Sequence, residues 1–281
     1  MKTLLYATDL RNESVSLLHY AYELSQQLKL KLVVVHVYDL PPVSIPAYND
    51  DLQIDLRVSD ERKHALRAYW YEHLNDLIAS GTADIQMQAV EDSSVVNGII
   101  SAARSVFADM ILVGTKSKDS KRGFFAGNIA RSLVDKVSVP LLIVPHHIKT
   151  VKLHEVVYAS ALESDDLKAL KTLISIARPF LAKIKVLHIS TKDEFESETQ
   201  LSWFKELIAE HVNYPHIEYK SIASEDIFGT INRYVLESGA DMLAMLEREE
   251  RNLLRGLFHQ DLVKKMQSQL SVPLISFRIQ D

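Results

Sequence analysis

The sequence predicts an α/β protein: two tandem copies of an open parallel sheet, each with helices on both faces. Three observations carry that expectation. Landmarks recur in the same order along the chain: Ala108-Asp109-Met110 returns as Ala240-Asp241-Met242, and Arg122-Gly123-Phe124-Phe125 as Arg255-Gly256-Leu257-Phe258. Ser138-Val139-Pro140-Leu141 likewise returns as Ser271-Val272-Pro273-Leu274. Each copy alternates short Val/Leu-rich runs, which lack polar alternation and so suit strands buried on both faces, with longer amphipathic stretches. Finally, 281 residues at 47% hydrophobic and 25% charged are enough for two ordinary cores.

In copy one, Leu4 to Thr8 is the first strand and Leu30 to Val37 the second. Between them Ser14 or Asn12 can cap a helix whose Leu18, Ala21, Tyr22, Ser25 and Leu28 share a face. Leu40 to Pro46 holds three prolines, which deny it helix and ladder hydrogen bonds, so it reads as an extended loop. A long helix over 59–78 carries Leu66, Tyr69, Trp70, Leu74 and Leu77 on one side. Ile85 to Val90 is the third strand, 94–105 a helix and Ala108 to Val113 the fourth strand. Gly127 to Val137 is the last helix and Leu141 to Val144 the last strand. Right-handed crossovers then give the open parallel sheet.

Leu4-Leu5-Tyr6-Ala7-Thr8 echoes Val156-Val157-Tyr158-Ala159-Ser160, and Val35-His36-Val37 echoes Leu187-His188-Ile189, both 152 residues on. The later landmarks lie only 132 or 133 residues on, so copy two is about 20 residues shorter in its middle. The domains are expected at 1–147 and 148–281. A net charge of −5 gives no electrostatic reason to expect nucleic acid or an anionic membrane as partner. Without cysteine there is no disulfide, thiol nucleophile, thiolate zinc site or iron–sulfur cluster. Asp9 and Arg11 interrupt the amino-terminal stretch before a signal core could form, and the apolar runs are too short to span a bilayer. The expectation is a soluble, cytoplasmic protein.

Ligands of such sheets bind beyond the carboxyl ends of the strands, where the strand order reverses. In copy one Thr8 and Asp9 follow the first strand, Val37 ends the second, and Gly114 and Thr115 follow the fourth. Gly127, Asn128 and Ile129 open the last helix, whose unpaired N–H groups and positive dipole end suit a phosphate. Between them, Thr115 to Arg122 holds four basic residues and one acid. From these residues alone, a phosphate site and a solvated basic loop fit equally well.

Taken together, Tyr6-Ala7-Thr8-Asp9, His36-Val37, Ala108-Asp109-Met110-Ile111-Leu112-Val113-Gly114 and Ser138-Val139-Pro140-Leu141-Leu142-Ile143-Val144 resemble the universal stress protein family in its tandem form. The resemblance runs over essentially the whole chain. It implies strand order 3-2-1-4-5 in each copy, and a pseudo-two-fold pair in which final strands pair and cover exposed edges. Nucleotide-binding members carry Gly, two residues, Gly, nine residues, Gly, then Ser or Thr. That spacing is kept here as Gly114, Ser117, Gly127 and Asn128, with two of the four residue types changed. Ser117 keeps the backbone N–H but loses the freedom for positive φ, and Asn128 is longer than Ser. By resemblance, copy one binds ATP or another adenine nucleotide with magnesium, Asp9 and Val37 holding the adenosine end.

Copy two aligns Ala161 with Asp9, Leu246 with Gly114, Glu249 with Ser117, and Gln260-Asp261 with Gly127-Asn128. Its loop has lost the glycines and the positive charge, so it reads as a non-binding, structural partner. The functional expectation is a stress-response ligand-sensing or adaptor protein with an unidentified protein partner, and further dimerisation is open to it. Two alternatives stand beside it: an interaction protein of the same fold without nucleotide, and a slow ATPase. No Gly-x-Ser-x-Gly elbow, His-Glu-x-x-His pair or Walker loop is present. His36 and His188 at equivalent strand ends fit packed, hydrogen-bonded histidines better than metal ligands, and Glu91-Asp92 fits a solvated loop better than a magnesium site. His146-His147 reads as part of the linker, and the aromatics Tyr69, Trp70 and Tyr71 as helix packing.

Overall fold

The computed structural model describes residues 1–11, 14–39, 60–69, 71–73, 85–115, 125–191, 194–247, 260–269 and 271–278. Copy one runs β1 (Thr3–Ala7), α1 (Val15–Leu28), β2 (Lys31–Tyr38), α2 (60–69 and 71–73), β3 (Ile85–Glu91), α3 (Val95–Ser105), β4 (Met110–Gly114), α4 (Phe125–Val134) and β5 (Leu141–Val144). Copy two runs β6 (Glu155–Ala159), α5 (Asp166–Ala177), β7 (Lys183–Ser190), α6 (Glu194–His211), β8 (Ile217–Ala223), α7 (Ile227–Glu237), β9 (Met242–Glu247), α8 (Gln260–Gln269) and β10 (Leu274–Arg278). The fold is α/β with a mostly parallel sheet, as expected.

The chain divides into two compact units. One comprises Met1–Lys136 with His146–Thr150, the other Val137–Pro145 with Val151–Asp281. In the first unit β3, β2, β1 and β4 lie side by side, all parallel. In the second, β8, β7, β6, β9 and β10 follow the same order, again parallel. There β10 also pairs antiparallel with β5, Leu274 opposite Ile143 and Ser276 opposite Leu141. The last strand of copy one thus sits on the last strand of copy two, and all four of its side chains are buried.

Burial explains the patterning. Leu4, Leu5 and Tyr6 of β1 and Leu32 to Val35 of β2 have their side chains covered on both faces, hence their lack of polar alternation. The outermost strands read differently. Ile85, Met87 and Ala89 alternate with Gln86 and Gln88, and Ile217, Tyr219 and Ser221 with Glu218 and Lys220; both strands are only partly covered. In α1 the buried face is Leu17, Leu18, Tyr20, Ala21, Leu24 and Ser25, so it is rotated slightly from the expected stripe and leaves Tyr22 and Leu28 half-buried. Helix α4 starts at Phe125, two residues before the expected Gly127, and ends at Val134. The Lys136 N–H bonds the Leu133 carbonyl at 2.9 Å, closing its last turn short of Val137. The proline loop and the distal part of the long helix, Leu74 and Leu77 included, lie outside the described residues.

The recurring Ala-Asp-Met landmark is structural. The Asp109 carboxylate accepts the N–H groups of Lys2 (2.7 Å) and Thr3 (3.0 Å), tying β4 to the start of β1. Asp241 does the same for His154 (2.7 Å) and Glu155 (3.0 Å). These backbone donors lie at the start of the strands, and without the carboxylates water would be left to serve them.

Candidate functional site

Three neighbouring strands set the candidate site. Because β1 lies between β2 and β4, with Ala7 level with Val35 and Tyr6 with Leu112, continuing the register sets Thr8 level with His36 on one side and Gly114 on the other, and Asp9 follows them. The Thr8 N–H prolongs the ladder to the Val35 carbonyl (2.9 Å), and the chain then turns sharply. At that turn the Thr8 hydroxyl accepts the Leu10 N–H (3.1 Å), and Leu10 lies in the left-handed region at φ 60°. Copy two repeats the turn, with the Ser160 hydroxyl accepting the Leu162 N–H (2.9 Å) and Leu162 at φ 58°. Strain shared by both copies belongs to the fold, not to one ligand.

Asp9 stands on this turn with its carboxylate exposed. It accepts the Ser14 hydroxyl (2.5 Å) and the Arg11 N–H (3.2 Å), and the Arg11 Nε lies 3.5 Å away. Ser14 occupies the N-cap position of α1, yet its hydroxyl is given to Asp9 and makes no cap bond. Copy two distributes the same groups differently. Ala161 replaces Asp9, and the acid has moved to Asp166, opposite Ser14, where it is fully buried. There it accepts the Tyr158 hydroxyl (2.5 Å) and the Glu163 N–H (3.0 Å). The corresponding Tyr6 hydroxyl in copy one donates to the Ser14 carbonyl (3.1 Å). One copy keeps an acid at the surface; the other has internalised it.

The second strand contributes His36 and Val37. His36 Nδ1 lies 3.0 Å from the Thr8 carbonyl, and His188 Nδ1 lies 3.0 Å from that of Ser160; only a protonated Nδ1 can donate there, which fixes the tautomer. Both histidines are the packed, hydrogen-bonded kind. Burial pushes the His36 pKa down; the Thr8 hydrogen bond and Asp9 oppose that shift, and Arg62 of α2 reinforces it. Tyr69 of α2 is buried, and its hydroxyl lies 3.5 Å from the Arg11 carbonyl. Burial, with Asp9 adding to it, pushes the Tyr69 phenol up to about 12, and a hydrogen bond from the Thr8 hydroxyl opposes this.

Val37 is buried against Gly98 in the first turn of α3; a Cβ on Gly98 would lie 2.5 and 2.9 Å from the two Val37 methyls. Gly114 ends β4 and Thr115 follows it, both half-buried. In α4, Gly127 lies in the first turn, Asn128 is exposed and Ile129 half-buried. Ser117 and the basic loop lie outside the described residues. Asp92 forms a local turn, accepting the Ser94 N–H at 2.8 Å, and His146 and His147 are exposed with their rings edge to face. Copy two is closed where Thr115 stands in copy one: Glu247 is buried there, and the strand register sets it beside Arg278.

Sequence reasoning missed Ser14 as the partner of Asp9, Arg62 and Tyr69 over the turn, and the close approach at Gly98. Only the last left a signal, an isolated glycine inside a helical pattern.

The universal stress protein family model matches residues 1–145. The chain belongs to the universal stress protein family. No curated protein sequence matches it. Its fold is similar to that of a universal stress protein from Archaeoglobus fulgidus DSM 4304, at 18% identity and TM-score 0.73, covering 98% of each chain. A putative universal stress protein from Pseudomonas aeruginosa UCBPP-PA14 matches at 13% identity and TM-score 0.63, covering 99% of this chain and 93% of that one. A functionally unknown protein from Pseudomonas aeruginosa PAO1 matches at 12% identity and TM-score 0.59, covering 99% and 92%. At these identities the structures share the fold of this universal stress protein, over the length of both copies. Among the described residues no helix is long and apolar enough to cross a membrane, and no group of three or more His, Asp or Glu side chains could hold a metal.

Proposed function

We propose that copy one binds ATP or a related adenine nucleotide and that the chain works as a ligand-responsive adaptor in the stress response. The observation that carries this reading is the asymmetry at the strand ends. Copy one keeps an exposed, hydrogen-bonded Asp9 on the turn after β1 and a half-buried Gly114-Thr115 step, whereas copy two has Ala161 and a buried Glu247. Asp9 and Val37 would hold the adenosine end, the carboxylate accepting from ribose or base. Thr8, Gly114, Thr115, Ser117 and the first turn of α4 at Gly127, Asn128 and Ile129 would face the phosphates. Magnesium would enter with the phosphates, which would share its coordination with water.

An adaptor reading suits this site better than a catalytic one. Asp9 is held by Ser14 and Arg11, an arrangement that favours a fixed acceptor over a base that must collect a proton. A rival reading, a protein-interaction member without nucleotide, draws support from the exposed Asn128 where the family pattern has Ser or Thr.

Thermal denaturation with and without Mg-ATP separates the two, since a ligand at about 100 times its Kd adds about 2.7 kcal/mol. The expected result is stabilisation of the wild type at one nucleotide per chain, lost in Asp9→Ala and in Gly127→Trp. No stabilisation and no titratable heat with Mg-ATP leaves the interaction reading in its place.

A further inference from the structure

Phe107 is out of character with its position. It sits in the turn between α3 and β4, 86% exposed, with its backbone in the left-handed region at φ 50°. A bulky residue is disfavoured there and glycine is not. Copy two shows the unstrained solution: Gly239, in the equivalent turn, has φ +64°, and a Cβ there would meet nothing within 4 Å. The fold gains nothing from the exposed ring, so an external role is the economical explanation of the strain.

The surroundings of Phe107 indicate what meets it. Lys31 donates its N–H to the Lys2 carbonyl (2.8 Å), and Lys2 bonds Asp109, two residues from Phe107. Lys29 ends α1 on the same edge, and Arg104 lies one turn before Phe107 on α3. Lys2, Lys29 and Arg104 are exposed. Among the described residues the acid at this edge, Asp109, is already committed to two backbone N–H groups. Phe107 is therefore an aromatic anchor in a basic rim.

A complementary surface exists on this same chain. On α6, Glu196, Thr199, Trp203, Glu206 and Glu210 fall on one stripe at helical spacing and are all exposed, Trp203 by 46%. Lys205, on the same helix, is turned to the Tyr219 ring, 5.6 Å from its centroid. This is an aromatic framed by acids, matching an aromatic framed by bases.

We infer that the Phe107 edge is a docking surface for helix α6 of a second copy of this chain. The contact is heterologous, so it either closes into a ring or grows as a chain. Aromatic and arginine side chains dominate such interfaces, while the flanking charges set orientation and salt dependence.

Sedimentation velocity of the full chain over a concentration series tests this. The expected result is concentration-dependent association that weakens between about 0.05 and about 0.5 M salt. Arg104→Glu and Glu206→Arg should each weaken it at least about tenfold, the double variant restoring it. Phe107→Gly should melt no lower than wild type, because Gly239 already occupies the equivalent turn, and yet lose the association. A chain that stays monomeric throughout overturns the inference, as does association indifferent to these variants. Binding of a monomeric wild type to anionic vesicles or to an unrelated acidic peptide, lost in Phe107→Gly, also overturns it and reassigns the edge.

Discussion

At the scale of the residue, the side chains that recur between the copies mostly hold the backbone, and those that differ mark the candidate site. Asp109 and Asp241 recur in the clearest landmark of the sequence, and each clamps two N–H groups at the foot of a strand. Hydrogen bonds to a charged group contribute about 1.5–3 kcal/mol, so Asp109→Ala should lower stability by about 2 kcal/mol in urea denaturation. Asp109→Asn, which keeps one acceptor oxygen, should lose less, and neither should alter nucleotide binding. His36 gives a pH signature. Its folded pKa lies below the ordinary histidine value of 6.5, so below that pH the unfolded chain binds the proton more readily. The histidine's contribution is fully present above pH 6.5 and is lost as pH falls through the folded pKa. Wild-type stability should therefore drop more steeply than that of His36→Gln between about pH 7 and 5, and parallel profiles would remove the assignment.

At the scale of the element, the sequence was most legible where burial is two-sided. The Val/Leu runs of β1, β2 and β4 have no option but a covered parallel strand, and they lie where expected. It was least legible at helix ends and helix faces. Nothing local announces that the Ser14 hydroxyl serves Asp9 instead of its own helix; that depends on a neighbour beyond the helix itself. Gly98 belongs to the same class. Helix α3 comes so close to β2 that any Cβ at 98 must displace the Val37 methyls or the Asp92 side chain, 3.2 Å away at Cβ. Copy two has Thr230 in the corresponding turn, and its hydroxyl bonds Ser224 (2.8 Å), so that turn does not demand glycine by itself. Gly98→Ala, although favourable by helix propensity, should thus destabilise copy one by about 1–3 kcal/mol through overpacking. Because it moves Val37, it should also reduce the Mg-ATP stabilisation; a melt at or above wild type would show that Val37 yields freely.

At the scale of the whole molecule, the repeat offsets revealed the duplication but not where one copy's structure ends. In sequence β5 closes copy one, whereas by contact it belongs with the second unit, paired along β10. A strand's partner is a long-range property, and Leu141 to Val144 would suit any buried edge. The family resemblance supplied the expectation that final strands pair, which hydrophobic pattern alone could not. This exchange makes a prediction about where the chain can be cut. A fragment of residues 151–281 would leave Leu274, Ile275 and Ser276 of β10 without the strand that pairs with them, an unprotected edge of the kind that recruits other chains. A fragment of residues 137–281 retains that cover at the cost of only 14 more residues. Either fragment ends on an open edge, β5 in the longer and β10 in the shorter, so the difference belongs to stability: the longer should melt higher because β10 keeps its paired strand, as circular dichroism would report. Should both behave alike, β5 contributes little to the second unit, and its four buried side chains would have to matter to copy one instead.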